Sequence, residues 1–276
     1  NNNTFSPTGG NVTANDTVNG VPATPANTDV TPVTSGPLSI DANGNLTVAP
    51  NTPSGTYNIE YEICEVGASP SNCTRAIATV VINNLIVANN VTIPSTGGNV
   101  TANDTINGVP VTTANTDVTP VTSGPLSIDA NGNLIVAPNT PSGTYTITYQ
   151  ICEVGATPVN CTTATATVVV NNALVALNDT LPATGGNVLA NDTINGVPAT
   201  AANTDVTPVT NGPLSIDANG NLTVAPNTIA GTYSITYQVC ETGSNPLVCT
   251  TATVTVGVNE TPDIAILITA VFIDDN

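Results

Sequence analysis

The stretch Thr144-Tyr145-Thr146-Ile147-Thr148-Tyr149-Gln150-Ile151-Cys152 alternates without a break between small polar and large apolar residues. Tyr145, Ile147, Tyr149 and Ile151 fall on one face, and Thr144, Thr146, Thr148, Gln150 and Cys152 on the other. This is the period-two pattern of a β-strand with one face in a core and one in water. The run Cys161 to Val170 alternates too, with Thr162, Ala164, Ala166, Val168 and Val170 set to point inward and Cys161, Thr163, Thr165 and Thr167 outward. If Cys152 stands opposite Cys161, antiparallel register places Tyr149 across from Ala164, Ile147 from Ala166 and Tyr145 from Val168. Large residues then meet small ones, as dense packing requires. The spacing predicts a hairpin whose eight-residue loop, Glu153 to Asn160, is closed at its mouth by a disulfide.

Working outward, the same hairpin is written three times. Cys64/Cys73 return as Cys152/Cys161 and Cys240/Cys249, and Gly9-Gly10 as Gly97-Gly98 and Gly185-Gly186, each at an offset of 88. Between Ala26–Tyr57 and Ala114–Tyr145 the only difference is Thr47 against Ile135. A fixed period of this length marks an array of like domains. We place them at 1–82 (its first strand incomplete), 83–170 and 171–258, with 259–276 holding a strand that opens a following domain or is exchanged with a neighbouring chain. Asn1 aligns with Asn89, so the chain begins inside its own repeat and reads as a window cut from something longer, with no targeting segment in view. The apolar run Ile264 to Phe272 has nine residues, about half of what a membrane helix needs, and reads as a strand.

Within the second copy, turn and apolar signals mark about seven strands. Leu85 to Val87 continuing through Val91 to Ile93 is the first, Asn99 to Ala102 the second and Asp117 to Thr122 the third. Pro125 to Asp129 and Asn133 to Ala137 follow, joined at Asn131-Gly132, a strong hairpin signal because both residues tolerate positive φ. The long hairpin completes the set. Seven short strands are the count of an immunoglobulin-like sandwich. The fold class expected is all-β: a tandem array of three seven-stranded Ig-like β-sandwich domains in an extended rod, each repeat adding about 35–45 Å.

Composition agrees and excludes. Val, Ile and Thr dominate, while Met and Trp are absent, which suits pleated strands and leaves helices little to work with. Nineteen acidic residues stand against one basic residue, Arg75, for a net charge of −18, so nothing can neutralise the phosphates of a nucleic acid. Without His or Lys there is no histidine-based triad, Schiff-base lysine or P-loop, and no Lys–Asn isopeptide bond. The repeated acids sit mostly in turns, against a paired-carboxylate glycosidase. No enzyme is expected. Six cysteines in three C-x8-C pairs, with none left over, point to intradomain disulfides and an oxidising, extracellular location.

What the acids do permit is calcium, which favours hard oxygen ligands. In the sandwich topology Asp104, Asp129 and Glu153, and 88 residues on Asp192, Asp217 and Glu241, gather toward the pole where the preceding repeat enters, near Asn83 and Asn84. A junction calcium ion held there would stiffen the array. Against this stands the ordinary habit of Asn-Asp and Asp-Ala-Asn-Gly of capping their own turns. Asp129-Ala130-Asn131-Gly132-Asn133 also echoes an EF-hand opening, but Thr140 occupies the position of its closing Glu, and a hairpin fits better.

The string Asn187-Val188-Leu189-Ala190-Asn191-Asp192-Thr193-Ile194-Asn195-Gly196-Val197-Pro198-Ala199, with Gly231-Thr232-Tyr233 to Glu241 and Cys249 to Val256, resembles the Ig-like or cadherin-like repeats of very long Bacteroidota surface proteins, gliding-motility-associated adhesins among them. The resemblance spans all three repeats and implies secretion, display on the bacterial cell surface and a role in adhesion or as a stalk. It implies no catalytic residue. The expected function is therefore that of a stalk or spacer in a secreted surface fibre or adhesin, whose partners are neighbouring repeats or identical chains, with any surface or glycan target outside this segment. The alternative is a filament subunit joined by strand exchange through Ile264 to Ile273. It is motivated by that unpartnered run and by the first repeat's lack of a Leu85-Ile86-Val87 counterpart.

Overall fold

The structure, a computed structural model, describes residues 1–260, so the expected strand at Ile264 to Phe272 lies outside the described residues. Every regular element among the described residues is a β-strand. They form two compact units, one of residues 1–138 and 145–168, the other of 139–144 and 169 onward.

In the first unit, the principal sheet of the N-terminal repeat runs in the order Asn3–Phe5, Cys73–Ile82, Gly55–Glu65, Thr28–Pro32, and a second sheet in the order Gly10–Asn11, Asn45–Val48, Leu38–Ile40. Their inner faces enclose one core in which Val12, Leu46, Ile59, Tyr61, Ala78 and Val80 are buried. The long hairpin has the register expected from its alternation: Tyr61 pairs with Ala76, Ile59 with Ala78, Tyr57 with Val80 and Cys64 with Cys73. In the second unit Tyr237 pairs with Ala252, Ile235 with Val254, Tyr233 with Val256 and Cys240 with Cys249. Disulfides join Cys64–Cys73, Cys152–Cys161 and Cys240–Cys249 across these hairpin mouths.

The structure divides the expected seven strands further. In the second repeat two four-stranded sheets form, Val91–Pro94, Cys161–Val170, Gly143–Glu153, Thr116–Val118 and Gly98–Asn99, Asn133–Val136, Leu126–Ile128, Val121–Ser123, with a small third sheet beside them. The expected third strand, Asp117 to Thr122, changes sheets in its middle: Thr116–Val118 pairs with Ile151–Glu153, while Val121–Ser123 pairs with Leu126–Ile128. Pro120 lies at the crossing, where its missing N–H cannot continue a ladder. The expected first strand is likewise two: Val91–Pro94 joins the principal sheet, and Ile86–Val87 pairs with Thr105–Ile106 in the third sheet.

That third sheet is built on a hairpin the sequence reading missed, Thr105–Ile106 with Val109–Pro110. Its turn, Asn107-Gly108, has φ of 50° and 79°, the two left-handed residues of a type I′ turn. At Asn131-Gly132 only the glycine has positive φ, at 77°, and Gly132 N–H bonds Asp129 O at 3.0 Å, giving a type I turn closed by a left-handed glycine. Both sites carry the same dipeptide, but the Asp129 carboxylate claims the Asn131 and Asn133 amides at 2.9 and 2.8 Å and selects the longer loop.

The disulfide acts on a short loop, so its contribution is modest. Replacing Cys152 and Cys161 together by Ala should lower the stability of the second repeat by about 2–3 kcal/mol on a chain-entropy scale. Calorimetric unfolding of the double variant checks this, and an unchanged transition would mean that the strand pairing alone fixes the register.

Candidate functional site, a carboxylate clamp between repeats

Alternation along Gly143–Glu153 turns Cys152 outward and Glu153 inward, where it is buried. The loop that follows is tied at its base, because Glu153 N–H donates to Asn160 O at 2.9 Å and Asn160 Nδ2 donates to Glu153 Oε2 at 2.9 Å. The carboxylate then receives the end of the preceding repeat. Ser54, in the bend that leads into Gly55–Glu65, donates its N–H to Oε1 at 3.1 Å and its Oγ–H to Oε2 at 2.6 Å. Asn84 of the linker donates Nδ2 to Oε1 and to Thr52 O, and its own N–H to Ser54 Oγ at 2.9 Å. Thr157 N–H donates to Ser54 O at 2.9 Å.

The overlooked hairpin completes the clamp. Asn107 Nδ2 donates to Asn84 Oδ1 at 2.8 Å, and Asn107 exchanges two further bonds of 2.9 Å with the Leu85 backbone. In the second unit the arrangement recurs on residues 88 positions on: Ser142 N–H donates to Glu241 Oε2 at 3.1 Å, Asn172 Nδ2 to Glu241 Oε1, Asn172 N–H to Ser142 Oγ at 2.9 Å, Asn195 Nδ2 to Asn172 Oδ1 at 2.7 Å and Asn245 N–H to Ser142 O at 2.9 Å. Burial pushes the Glu153 carboxyl upward, but donors on Ser54, Asn160 and Asn84 outweigh it and hold the group below the usual carboxylate range. Its contribution to stability is therefore present above the unfolded value and lost as pH falls through the lower folded one.

The structure does not bring Asp104, Asp129 and Glu153 together. Asp129, half-buried, and Asp217, exposed, cap their own hairpins, each carboxyl held low by Asn133 or Asn221. Asp104 is buried under the core, accepting Asn89 N–H at 2.7 Å and facing the Tyr149 hydroxyl at 3.1 Å. Asp192 is placed likewise by Leu177 N–H and Tyr237. Among the described residues, the one group of three potential ligands lying within 4.8 Å is Glu62, Cys64 and Cys73, and its two sulfurs are bonded to each other. Sequence reading placed Glu153 and Asn84 at the junction but missed Ser54, which looked like part of an ordinary Pro-Ser-Gly bend. Glu241 was placed in the same way 88 residues on, and Asn172 and Ser142 were not singled out.

The third repeat adds a second buried acid. Asp179 Oδ2 faces the Tyr237 hydroxyl at 3.0 Å and Asp192 Oδ2 faces it at 3.4 Å, where the first and second repeats place Asn3 and Val91 in the position of Asp179. Burial first, then the Asp192 charge, pushes the Asp179 carboxyl up against the pull of the tyrosine bond, and burial pushes Asp192 up as well. Raised folded values give stability that is full below the unfolded carboxylate value and is lost as pH rises through the folded one. Asp179→Asn should therefore raise the melting transition of the third repeat by a few degrees at pH 7 to 8, with the gain vanishing toward pH 4. Calorimetry across that range checks it; a gain independent of pH would place the effect elsewhere than in the acid pair.

One match to a known family agrees with the architecture. The family described as Bacterial Ig domain matches residues 165–257. Among solved structures the chain is similar to Drosophila N-cadherin EC1-3, at 12% identity, a TM-score of 0.33, and coverage of 94% of this chain and 98% of that one. It is similar also to mouse cadherin-23 EC22-24, at 14% identity and a TM-score of 0.28, with 85% and 86% covered. A search of curated proteins returned no match. The fold is that of tandem β-sandwich repeats of the Ig-like kind.

Proposed function

We propose that this chain is a structural spacer, a run of stiffened repeats in a secreted bacterial surface fibre or adhesin of the kind its Asn-Asp and Gly-Thr-Tyr strings resemble. The observation that carries the reading is the clamp: a buried carboxylate on one repeat takes the serine and linker asparagine that end the repeat before it, twice, at the same 88-residue interval. Directional bonds of this kind restrain the angle between joined domains more than an apolar patch does, because several short donors must stay aligned at once. Calcium has no part in this reading, since the Glu153 oxygens are already occupied by amide and hydroxyl donors.

Small-angle scattering tests it. The wild-type chain should behave as one elongated particle of narrow distribution, each repeat adding about 35–45 Å. Glu153→Ala with Glu241→Ala, which removes the acceptor of the buried Ser54 and Ser142 amides at about 1–3 kcal/mol each and leaves the half-buried linker asparagines only their bonds to Thr52 O and Thr140 O, should broaden the distribution and shorten the mean length. A particle whose length and spread ignore both substitutions would remove the clamp from the account.

One observation favours a second reading, a filament subunit. The third sheet has three strands in the second and third repeats but only two, Thr17–Val18 and Val21–Pro22, in the first. An incoming strand would complete it. If the C-terminal run supplies that strand to another molecule, deleting residues 263–276 abolishes filaments in electron micrographs; filaments of undiminished length would end that reading.

A further inference from the structure

Each clamp has a donor half, Thr-Pro-Ser-Gly, and an acceptor half, the loop after the long strand. The donor half occurs at Thr52 to Gly55 and Thr140 to Gly143, and both copies are engaged in the clamps described. The acceptor half occurs three times, around Glu65, Glu153 and Glu241, and the two donors engage the second and third of these, each in the repeat that follows its own. We infer that Glu65, Gly67, Ser69 and Asn72 form a docking socket for the Thr-Pro-Ser-Gly end of a like repeat joined ahead of it in tandem. The inference rests on the spacer reading and extends it to the counterpart surface of the first repeat.

The socket has the form of its occupied counterpart. Glu65 N–H donates to Asn72 O at 2.9 Å and Asn72 Nδ2 to Glu65 Oε2 at 2.9 Å, as Glu153 and Asn160 do. Val66 N–H donates to Asn27 O at 3.0 Å, matching Val154 and Asn115 at 3.1 Å. The glycines differ in the informative way. A Cβ built on Gly155 would stand 3.3 Å from Pro53 Cγ, and one on Gly243 3.4 Å from Pro141 Cγ, because the proline of the donor half lies there. At Gly67, with φ of 79°, a Cβ would meet nothing within 4 Å. The cradle is present and open.

Asn19, the counterpart of Asn107, shows where the linker would go. In the clamp Asn107 Nδ2 binds Asn84 Oδ1, and Asn84 Nδ2 binds the carboxylate. Here Asn19 Nδ2 itself reaches Glu65 Oε1, at a long 3.3 Å, taking the oxygen that a linker asparagine would hold. The two-stranded sheet Thr17–Val18 with Val21–Pro22 lies on the same segment, and the Leu85-Ile86-Val87 stretch that follows Asn84 is what fills the equivalent edge in the second repeat. One incoming repeat with its linker would thus supply the serine, the asparagine and the strand together.

The chemistry also says which repeat fits. The third repeat ends in Thr228-Ile229-Ala230-Gly231, and Ala230 has no hydroxyl for the carboxylate, so a second copy does not dock through its last repeat in this way. A tandem link supplies the missing affinity by holding the donor half at high effective concentration.

The test fuses residues 1–88 ahead of Asn1, which keeps the repeat in phase because Asn1 aligns with Asn89. Glu65→Ala in the downstream copy should lower its melting transition by several degrees more in the fusion than in the unfused chain, where it removes only the bonds from Asn72 and Asn19. Exchange of the Ser69 amide, the counterpart of Thr157, should slow by on the order of tenfold on fusion. Equal effects of Glu65→Ala in both chains, or no slowing at Ser69, overturn the inference. Sedimentation of the unfused chain decides the source: self-association abolished by Glu65→Gln would assign the socket to a second copy and overturn the tandem assignment, whereas a monomer supports it. Failure here would leave the scattering of the wild-type chain untouched, so the two readings fall separately.

Discussion

Apart from Asp16, which meets the Asn1 ammonium at 2.6 Å, the buried carboxylates of a chain with one basic side chain are satisfied by neutral donors, and this constraint shapes the molecule. Arg75 is spent on the exposed surface, beside Glu60 and Glu62. Glu153 therefore draws on the Ser54 hydroxyl, both Glu153 and Glu241 draw on asparagine amides and backbone N–H groups, and the innermost acids draw on tyrosine. An ion left in a low-dielectric interior without such partners would cost several kcal/mol. Among the described residues the demand is met, since every buried side-chain nitrogen and oxygen has a hydrogen-bond partner. The abundance of Asn in this sequence has a physical use here, because its amide can donate to a carboxylate and accept from a turn at once.

Alternation made the long hairpin legible in the sequence. Only one register sets Tyr61 on Ala76 and Ile59 on Ala78 while placing Cys64 beside Cys73, and local pattern, volume and covalent chemistry all select it. The small third sheet was equally local, for Asn107-Gly108 lies between Thr105-Ile106 and Val109-Pro110 in plain view. Its strands are two residues long, too short for a period to register, so only the turn dipeptide marked it. The same dipeptide at Asn131-Gly132 makes a different turn because an aspartate stands two residues earlier. Turn type belongs to the capping side chain as much as to the pair.

The clamp was legible on one side only. Glu153 follows from the strand alternation, but Ser54 lies 99 residues away and sits in a bend rich in turn formers. No local pattern announces that such a serine faces a carboxylate of the next repeat. The buried acid Asp104 was hidden for a similar reason: its partner Tyr149 is 45 residues on, and an Asn-Asp pair reads by itself as a solvated turn. What did carry information was comparison of the copies, where Ser54 and Ser142 give way to Ala230 in the same repeat in which Pro gives way to Ile229.

Those departures show that the junctions are not equivalent. At the first clamp Asn160 donates to the carboxylate, to Ser54 Oγ and to Asn84 O, whereas its counterpart in the third repeat is Val248, which can do none of this. The second clamp therefore keeps its serine and linker asparagine but loses an amide that ties the loop to both sides. At the end of the third repeat the serine is absent and Asn259-Glu260 replaces the paired asparagines of the earlier linkers. A glutamate there would repel a clamp carboxylate where asparagine would donate to it. Donor supply thus falls from the first clamp to the second, and again at the end of the third repeat, although the 88-residue period itself is unbroken.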